Sequence, residues 1–279
     1  MNQGNLLECQ RWRMMVEAEH AQSEWARGKT QEPEDFWESF AERFRPEPSR
    51  TDDPVVQRLL QEVELRHTVI DVGAGGGRLA LPFSLQCQQV VAVEPSASMG
   101  SILDEEAQRA QIGNIVLVPS SWEEAEIGAA DIVLCVQVLY TVKDIVPFVR
   151  KLEAHAREKV LVVLYENPPQ FQAHPLWPRV HGQKRLKLPC LRDFMQVLWE
   201  MDIYPDLEML TPQEPRGFES RERALQQMRP RLLVAPGSHG EWRLEEALTD
   251  MLEEVDGRFK IRGVPPFRPA LVSWQKRQL

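Results

Sequence analysis

Val69-Ile70-Asp71-Val72-Gly73-Ala74-Gly75-Gly76-Gly77 is the stretch on which the fold turns. Two β-branched apolar residues run into an acid, and glycine then occupies every second position. Each glycine removes a side chain where backbone must turn sharply or approach a ligand closely. Apolar strand, glycine turn and helix form the layout of a nucleotide-type cofactor site on an α/β sheet. The spacing narrows the cofactor. A dinucleotide loop has G-x-G-x-x-G, and counting from Gly73 and Gly75 the third glycine would fall at Arg78. The loop therefore reads D-x-G-x-G-x-G.

Outward from the loop, Arg78 to Leu85 predicts the start of an amphipathic helix, with Leu79, Leu81 and Phe83 available for packing. Val90-Val91-Ala92-Val93-Glu94 is a second short apolar run that ends in an acid. Glu94 lies 23 residues after Asp71, close to the ~20 expected between a glycine loop and a ribose-binding acid. A carboxylate there can accept hydrogen bonds from both ribose hydroxyls. On these residues the chain resembles the class I S-adenosylmethionine-dependent methyltransferases, whose first motif is this glycine pattern. In that family an apolar residue shortly after the acid packs on the adenine, and Met99 of Glu94-Pro95-Ser96-Ala97-Ser98-Met99 fits. A core-facing helix residue is the other reading of Met99.

Further motifs carry the resemblance. Asn114 to Val118 leads into Pro119-Ser120-Ser121-Trp122, where the family places an acid and an aromatic around the adenine. Trp122 suits stacking; it also suits a hydrophobic plug on the sheet. Ser121 stands where the acid often stands, so Glu123 or Glu124 would have to meet the amino group. Asp131 to Tyr140 resembles the fourth-strand motif, and the residues after that strand line the acceptor side. Gln137 and Tyr140 are thus substrate-side candidates, Tyr140 being open to a core role as well. Asn167-Pro168-Pro169 is similar to the N-P-P signature of amino-methyltransferases, but it follows the fifth strand and Gln170 replaces the aromatic. The resemblance implies a cofactor site of Asp71, Gly73, Ala74, Gly75, Gly77, Glu94, Pro95, Met99, Ser121, Trp122, Gln137 and Trp37.

The rest of the chain alternates. Residues 7 to 28 read as a helix with Trp12, Met15, Val16 and Trp25. A second helical stretch, about 34–44, puts Phe36, Trp37, Phe40 and Phe44 on one face. The resemblance lets that aromatic helix fold over the cofactor as a lid, with Arg43 or Arg45 meeting the methionine carboxylate. Asp52-Asp53-Pro54 can cap a third helix. Strands are expected near 68–72, 90–94, 115–118, 131–135, 160–165, 206–211 and 269–275. Helices are expected at 97–110, 143–158, 190–202, 219–232 and 241–256. Alternation of this kind gives a parallel sheet with right-handed crossovers. The fold class is therefore α/β: a doubly wound, seven-stranded, mostly parallel sheet with N-terminal helices and a helical cap. The resemblance adds that the last strand inserts antiparallel between the fifth and sixth. The expected organisation is one domain: a lid segment over 1–65, a cofactor-binding core over 66–166, and a substrate loop with the last strands and a helical insertion over 167–279.

The proline-containing loop from Phe171 to Leu188 holds His174, Trp177, His181, Arg179, Lys184, Arg185 and Lys187. It reads either as a stiffened solvated loop or as an acceptor lid. Imidazoles titrate near neutral pH, which makes His174 and His181 candidate bases alongside Tyr140.

Bulk properties bound the function. The 279 residues include 43% hydrophobic residues, and no apolar run approaches the ~18 a membrane helix needs. The first twenty residues carry five charges, so no signal peptide is expected. Cys9, Cys87, Cys135 and Cys190 are far apart. That argues against disulfides or a metal site and for a cytoplasmic setting. A net charge of −9 argues against nucleic acid as the main partner. The expected activity is methyl transfer from S-adenosylmethionine to a small-molecule acceptor by a monomer or homodimer. A non-catalytic cofactor-binding protein of the same fold is the alternative, with a nicotinamide-dependent oxidoreductase behind it.

Overall fold

The computed structural model describes residues 6–28, 35, 37, 38, 41–47 and 52–275. Two compact units are present: a sheet unit of residues 32–164, 198–210 and 270–279, and a helical unit of residues 1–31, 165–197 and 211–269. The strands in chain order are β1 Thr68–Val72, β2 Gln89–Val93, β3 Ile115–Val118, β4 Ala130–Val136, β5 Ala156–Tyr165, β6 Asp206–Met209, β7 Leu252–Val255, β8 Arg258–Ile261 and β9 Pro269–Gln275. The helices are α1 Leu7–Arg27, α2 Pro54–Leu60, α3 Ala80–Ser84, α4 Ala97–Arg109, α5 Ile145–His155, α6 Trp177–His181, α7 Leu191–Glu200, α8 Arg221–Arg231 and α9 His239–Met251.

In the sheet unit the strand order is β3-β2-β1-β4-β5-β9-β6. β1 pairs parallel with β2 on one side and β4 on the other, and β9 runs antiparallel to β6. The expected seven-stranded, mostly parallel sheet with one antiparallel strand is thus the fold observed. Its central strands are mostly apolar because helices cover both faces, with Asp71 in β1 and the charged residues at the starts of β4 and β5 as exceptions. On one face Val69, Leu134 and Leu161 pack with Leu59 of α2 and Phe83 of α3. Side chains alternate along a strand, so Asp71 shares that buried face with Val69. α2 begins where Asp53 accepts the amides of Val55 and Val56, with Pro54 in its first turn.

In the helical unit, α1 buries Trp12 and Val16, and the Trp12 ring lies 6.0 Å from that of Phe194 in α7. Glu19, Gln22 and Ser23 of α1 all bond Arg185, whose guanidinium lies 3.9 Å from the Trp177 ring. A second cluster joins Trp177, Val180, Met228, Leu232, Leu244 and Leu248 from α6, α8 and α9.

Three local expectations need correction. The loop over 171–188 contains a 3-10 turn, Pro169–Ala173, and α6; Leu176, Trp177 and Val180 are buried, and that burial holds it as helix. The helix expected to reach 256 ends at Met251. β7 and β8 follow it as a hairpin turning at Asp256-Gly257, with φ of 52° and 72°. That dipeptide is the preferred two-residue hairpin turn, and it outweighed the helical pattern. Of the helix expected over 34–44, the described residues show a turn at Trp37–Glu38 and a 3-10 helix Ala41–Phe44. Phe36, Phe40 and the side chain of Phe44 lie outside the described residues.

Candidate cofactor site

The order of strands reverses between β1 and β4, which opens a crevice at their carboxyl ends. The glycine loop enters it from β1. Gly73 and Ala74 donate their amides to the Val93 carbonyl, which ties the loop to the end of β2. Gly73 has φ of +72°, and a Cβ there would come within 2.5 Å of Val138 Cγ2. Gly77, at φ +94°, has Leu103 Cδ1 at the same distance from its missing Cβ. At both positions the left-handed backbone disfavours a side chain, and the neighbouring Val138 or Leu103 side chain would have to shift to admit one.

Two carboxylates stand beneath and beside this loop. Glu94, only 6% exposed, accepts the Gly75 amide at 2.7 Å and the Ser96 amide at 2.8 Å. Burial raises its pKa against those two hydrogen bonds. Asp71 is buried, and Oδ2 is the only buried side-chain oxygen among the described residues with no hydrogen-bond partner. Burial, and then the charge of Glu94, push its pKa up to about 7, while Arg78 and the Ala80 amide pull the other way. Arg78 itself donates to Asp53 at 2.8 Å, so the residue that departs from dinucleotide spacing braces the cap of α2.

Met99 lies in the first turn of α4, and its Cε is 3.3 Å from where a Gly75 Cβ would sit. Pro95 is exposed beside it. Asp71, Gly73, Ala74, Gly75, Gly77, Glu94, Pro95 and Met99 therefore converge at the ends of β1 and β2. Ser121 is engaged locally, sharing a hydrogen bond with Glu124 at 3.1 Å. The Trp122 ring is 3% exposed, turned onto α5 with His155 at 5.3 Å and its Nε1 donating to the Phe148 carbonyl. Gln137 follows β4 at φ +64°, a conformation that a residue with a side chain adopts at a cost. Its amide oxygen accepts the Tyr140 hydroxyl at 2.5 Å.

A segment not foreseen joins the site. Asp35 accepts the hydroxyls of Ser96 and Ser98 and the Ser98 amide, at the start of α4. The Trp37 amide donates to Asp35, and the Trp37 side chain is 39% exposed. Further along, Arg45 is held by Glu42, Glu105 and Glu106. That corrects the expectation that Arg45 meets a methionine carboxylate; the Arg43 side chain lies outside the described residues. The closely spaced Ser96 and Ser98, two hydroxyls at a helix start, were the available signal for an acidic partner.

His174 and His181 belong to the helical unit. Burial, then the charges of Arg185 and Lys187, push His174 down to about 4, which leaves it neutral. The Nε2–H of His181 donates to the Leu232 carbonyl, and its ring packs tilted against Trp177, centroids 4.2 Å apart. Arg185, one of the basic residues of the loop read either as solvated or as an acceptor lid, is the buried partner of Glu19.

A family model described as a methyltransferase domain matches residues 40–255. The chain belongs to that family. It is a class I S-adenosylmethionine-dependent methyltransferase, the class that its glycine motif resembles. YcgJ from Bacillus subtilis shares the fold at a TM-score of 0.54 and 18% identity, over 80% of this chain and 98% of that one. BH2331 from Bacillus halodurans C-125 does so at 0.56 and 15%, over 80% and 99%. The [4+2]-cyclase SpnF shares it at 0.51 and 12%, over 80% and 79%. Comparison with curated protein sequences finds no similar one. No described helix of this methyltransferase is long and apolar enough to cross a membrane, and the described residues contain no cluster able to hold a metal ion.

Proposed function

We propose that this methyltransferase acts on a small-molecule acceptor in the cytoplasm, and that its cofactor lies across the glycine loop between Asp71 and Glu94. The observation that carries the site is the partnerless Oδ2 of Asp71, buried under a loop whose left-handed Gly73 lies close against Val138. A buried carboxylate without a partner is costly, and a cationic ligand beside it removes that cost. S-adenosylmethionine, when bound, supplies a methyl group activated by its sulfonium. Glu94 is placed to accept ribose hydroxyls in exchange for the amides it now holds. Met99, Pro95 and Ser121 border the base, while the Trp122 ring supports that segment from the α5 side. Trp37 lies beside the Asp35 contact with α4 and is placed to cover the ligand. Gln137 faces the acceptor, and the hydrogen bond from the hydroxyl of the buried Tyr140 orients the Gln137 amide so that its N–H groups point away from the tyrosine. The chain's own work is then to position the acceptor and exclude water, which can supply ~7–11 kcal/mol of a barrier without any fixed base.

Binding is tested by calorimetry with S-adenosylhomocysteine and, in parallel, NADH. Expected is a complex with the former only, lost in Asp71→Ala and Glu94→Ala; wild-type binding by both variants would refute the site. Turnover is tested with radiolabelled S-adenosylmethionine and a panel of phenols, amines, thiols and carboxylic acids. SpnF, a cyclase with this fold, supports keeping a second reading. Tight cofactor binding with no methyl transfer to any acceptor would favour a role for the bound cofactor other than donation.

A further inference from the structure

Five described residues other than glycine have a positive φ. Gln111, Asp202 and Leu233 each follow the end of a helix, and Asp256 turns the β7–β8 hairpin, places where the left-handed conformation is common. Gln137 is the exception. It follows β4 at the carboxyl edge of the sheet, where its backbone amide donates to the Val163 carbonyl of β5 at 2.9 Å. The next residue, Val138, is the one packed against Gly73. A side chain kept in a costly backbone conformation beside a cofactor loop points to a task for that side chain. Its terminal amide is fixed as well. The Tyr140 hydroxyl lies 2.5 Å from one of its two polar atoms, a length normal for O–H···O and too short for N–H···O. Oε1 therefore faces the tyrosine, and the two N–H groups of Nε2 face away from it. Tyr140 is buried, so packing holds its ring in place. Among the described residues none accepts a hydrogen bond from the Gln137 Nε2.

Resting on the cofactor site assigned above, we propose that the acceptor presents a carboxylate oxygen to the Gln137 N–H groups, and that Tyr140 is the positioning residue that holds this amide with its donors outward. A carboxamide free to turn over meets donors and acceptors alike, because its terminal torsion is broad and two-fold. Bonded through Oε1 to a buried hydroxyl, it offers the acceptor its donors. A carboxylate satisfies N–H groups that otherwise have no partner. An ammonium carries donors only and leaves them unpaired. Hydrogen bonds to an ionised partner are roughly twice as strong as neutral ones, which puts a carboxylate ahead of a neutral carbonyl.

The test uses the full chain, isotope-labelled at glutamine and saturated with S-adenosylhomocysteine, with two probes of matched shape. Near neutral pH these are benzoate, an anion, and benzylammonium, a cation. The side-chain N–H signals of Gln137 are those missing from the Gln137→Glu spectrum. Expected is that benzoate moves these signals and benzylammonium does not, with benzoate bound at least about tenfold more tightly in calorimetry. In Gln137→Glu the order reverses, since a carboxylate in the same place repels benzoate and accepts from an ammonium. In Tyr140→Phe the amide is released, and the preference for benzoate falls at least about threefold. Lost packing alone would weaken both probes together and leave their ratio unchanged. Gln137→Gly relieves the positive φ, keeps the unfolding midpoint and loses the preference. Circular dichroism checks that each variant is folded; should Tyr140→Phe fail, the two Gln137 variants decide. Benzylammonium bound as tightly as benzoate overturns the inference. So do Gln137 signals that neither probe moves at up to about 50 mM, or a ratio unchanged in Gln137→Glu. Those results leave the cofactor site standing, because S-adenosylhomocysteine binding is measured first. A wild-type chain that does not bind it refutes the site and the acceptor class together.

Discussion

Asp71 is a carboxyl held where its charge is unwelcome. Its pKa of about 7 lies well above the ordinary 3.8. The folded state therefore prefers the protonated form, and the benefit is full below the unfolded pKa and lost as pH rises through 7. Asp71→Asn removes that loss. Thermal unfolding without ligand should show the variant equal to wild type near pH 4 and more stable at pH 8, by at most about 4 kcal/mol. The same variant should lose affinity for S-adenosylhomocysteine, so stability and binding move in opposite directions. Gly73 is the complementary case. Gly73→Ala meets both a left-handed φ and the methyl of Val138, and should lower stability by about 1–3 kcal/mol. Adding Val138→Ala should recover the part due to contact and leave the part due to φ, measured as a double-mutant cycle by denaturant unfolding. At this scale the sequence was informative where a residue type is demanded by backbone, as in the glycine loop. It was uninformative where a side chain has two possible partners. Trp122 and Arg45 could have faced a ligand, and each instead faces a neighbouring helix, a choice that depends on packing between elements distant in the chain.

Elements were legible when their pattern was local. The strand at 68–72, the cap of α2 at Asp53-Pro54 and the alternation through β5 all follow from apolar runs and turn chemistry within a few residues. The helical unit was harder to read because its segments are stabilised by one another. Arg185 in the loop before α7 is buried among Glu19, Gln22, Ser23 and Trp177, and no local pattern shows that a loop arginine will meet a helix so far back. Removing one partner of a buried pair leaves the other charge unpaired. Glu19→Ala should therefore cost about 3–5 kcal/mol in denaturant unfolding, and Glu19→Met with Arg185→Met clearly less than the sum of the two single changes. The short segment around Asp35 and Arg45 is fastened to α4 at both ends, by Ser96 and Ser98 and by Glu105 and Glu106. Asp35→Ala should raise hydrogen exchange in 41–47 and leave β1 unchanged; equal protection in variant and wild type would show that the first fastening contributes nothing.

For the molecule as a whole, the fold is a poor guide to chemistry and a good guide to where chemistry takes place. The sheet reverses at β1 and β4, and apart from Trp37 and Asp35 the residues of the candidate cofactor site lie at the end of a strand of that sheet, follow it or begin the helix after it. Ligand binding should therefore be felt mainly in the sheet unit. At a hundredfold excess over its Kd, S-adenosylhomocysteine should stabilise the protein by about 2.7 kcal/mol. Hydrogen exchange should slow first at 73–77 and 94–99. The helical unit has a different consequence, one of timing. It is assembled from three separated stretches of chain, and Glu19 waits 166 residues for Arg185. At about 5–20 residues per second, that is an interval of roughly 8–33 s on the ribosome. During it Glu19 is made and its cationic partner is not, and a chain halted after the cofactor strands would carry that carboxylate without Arg185 into the cell.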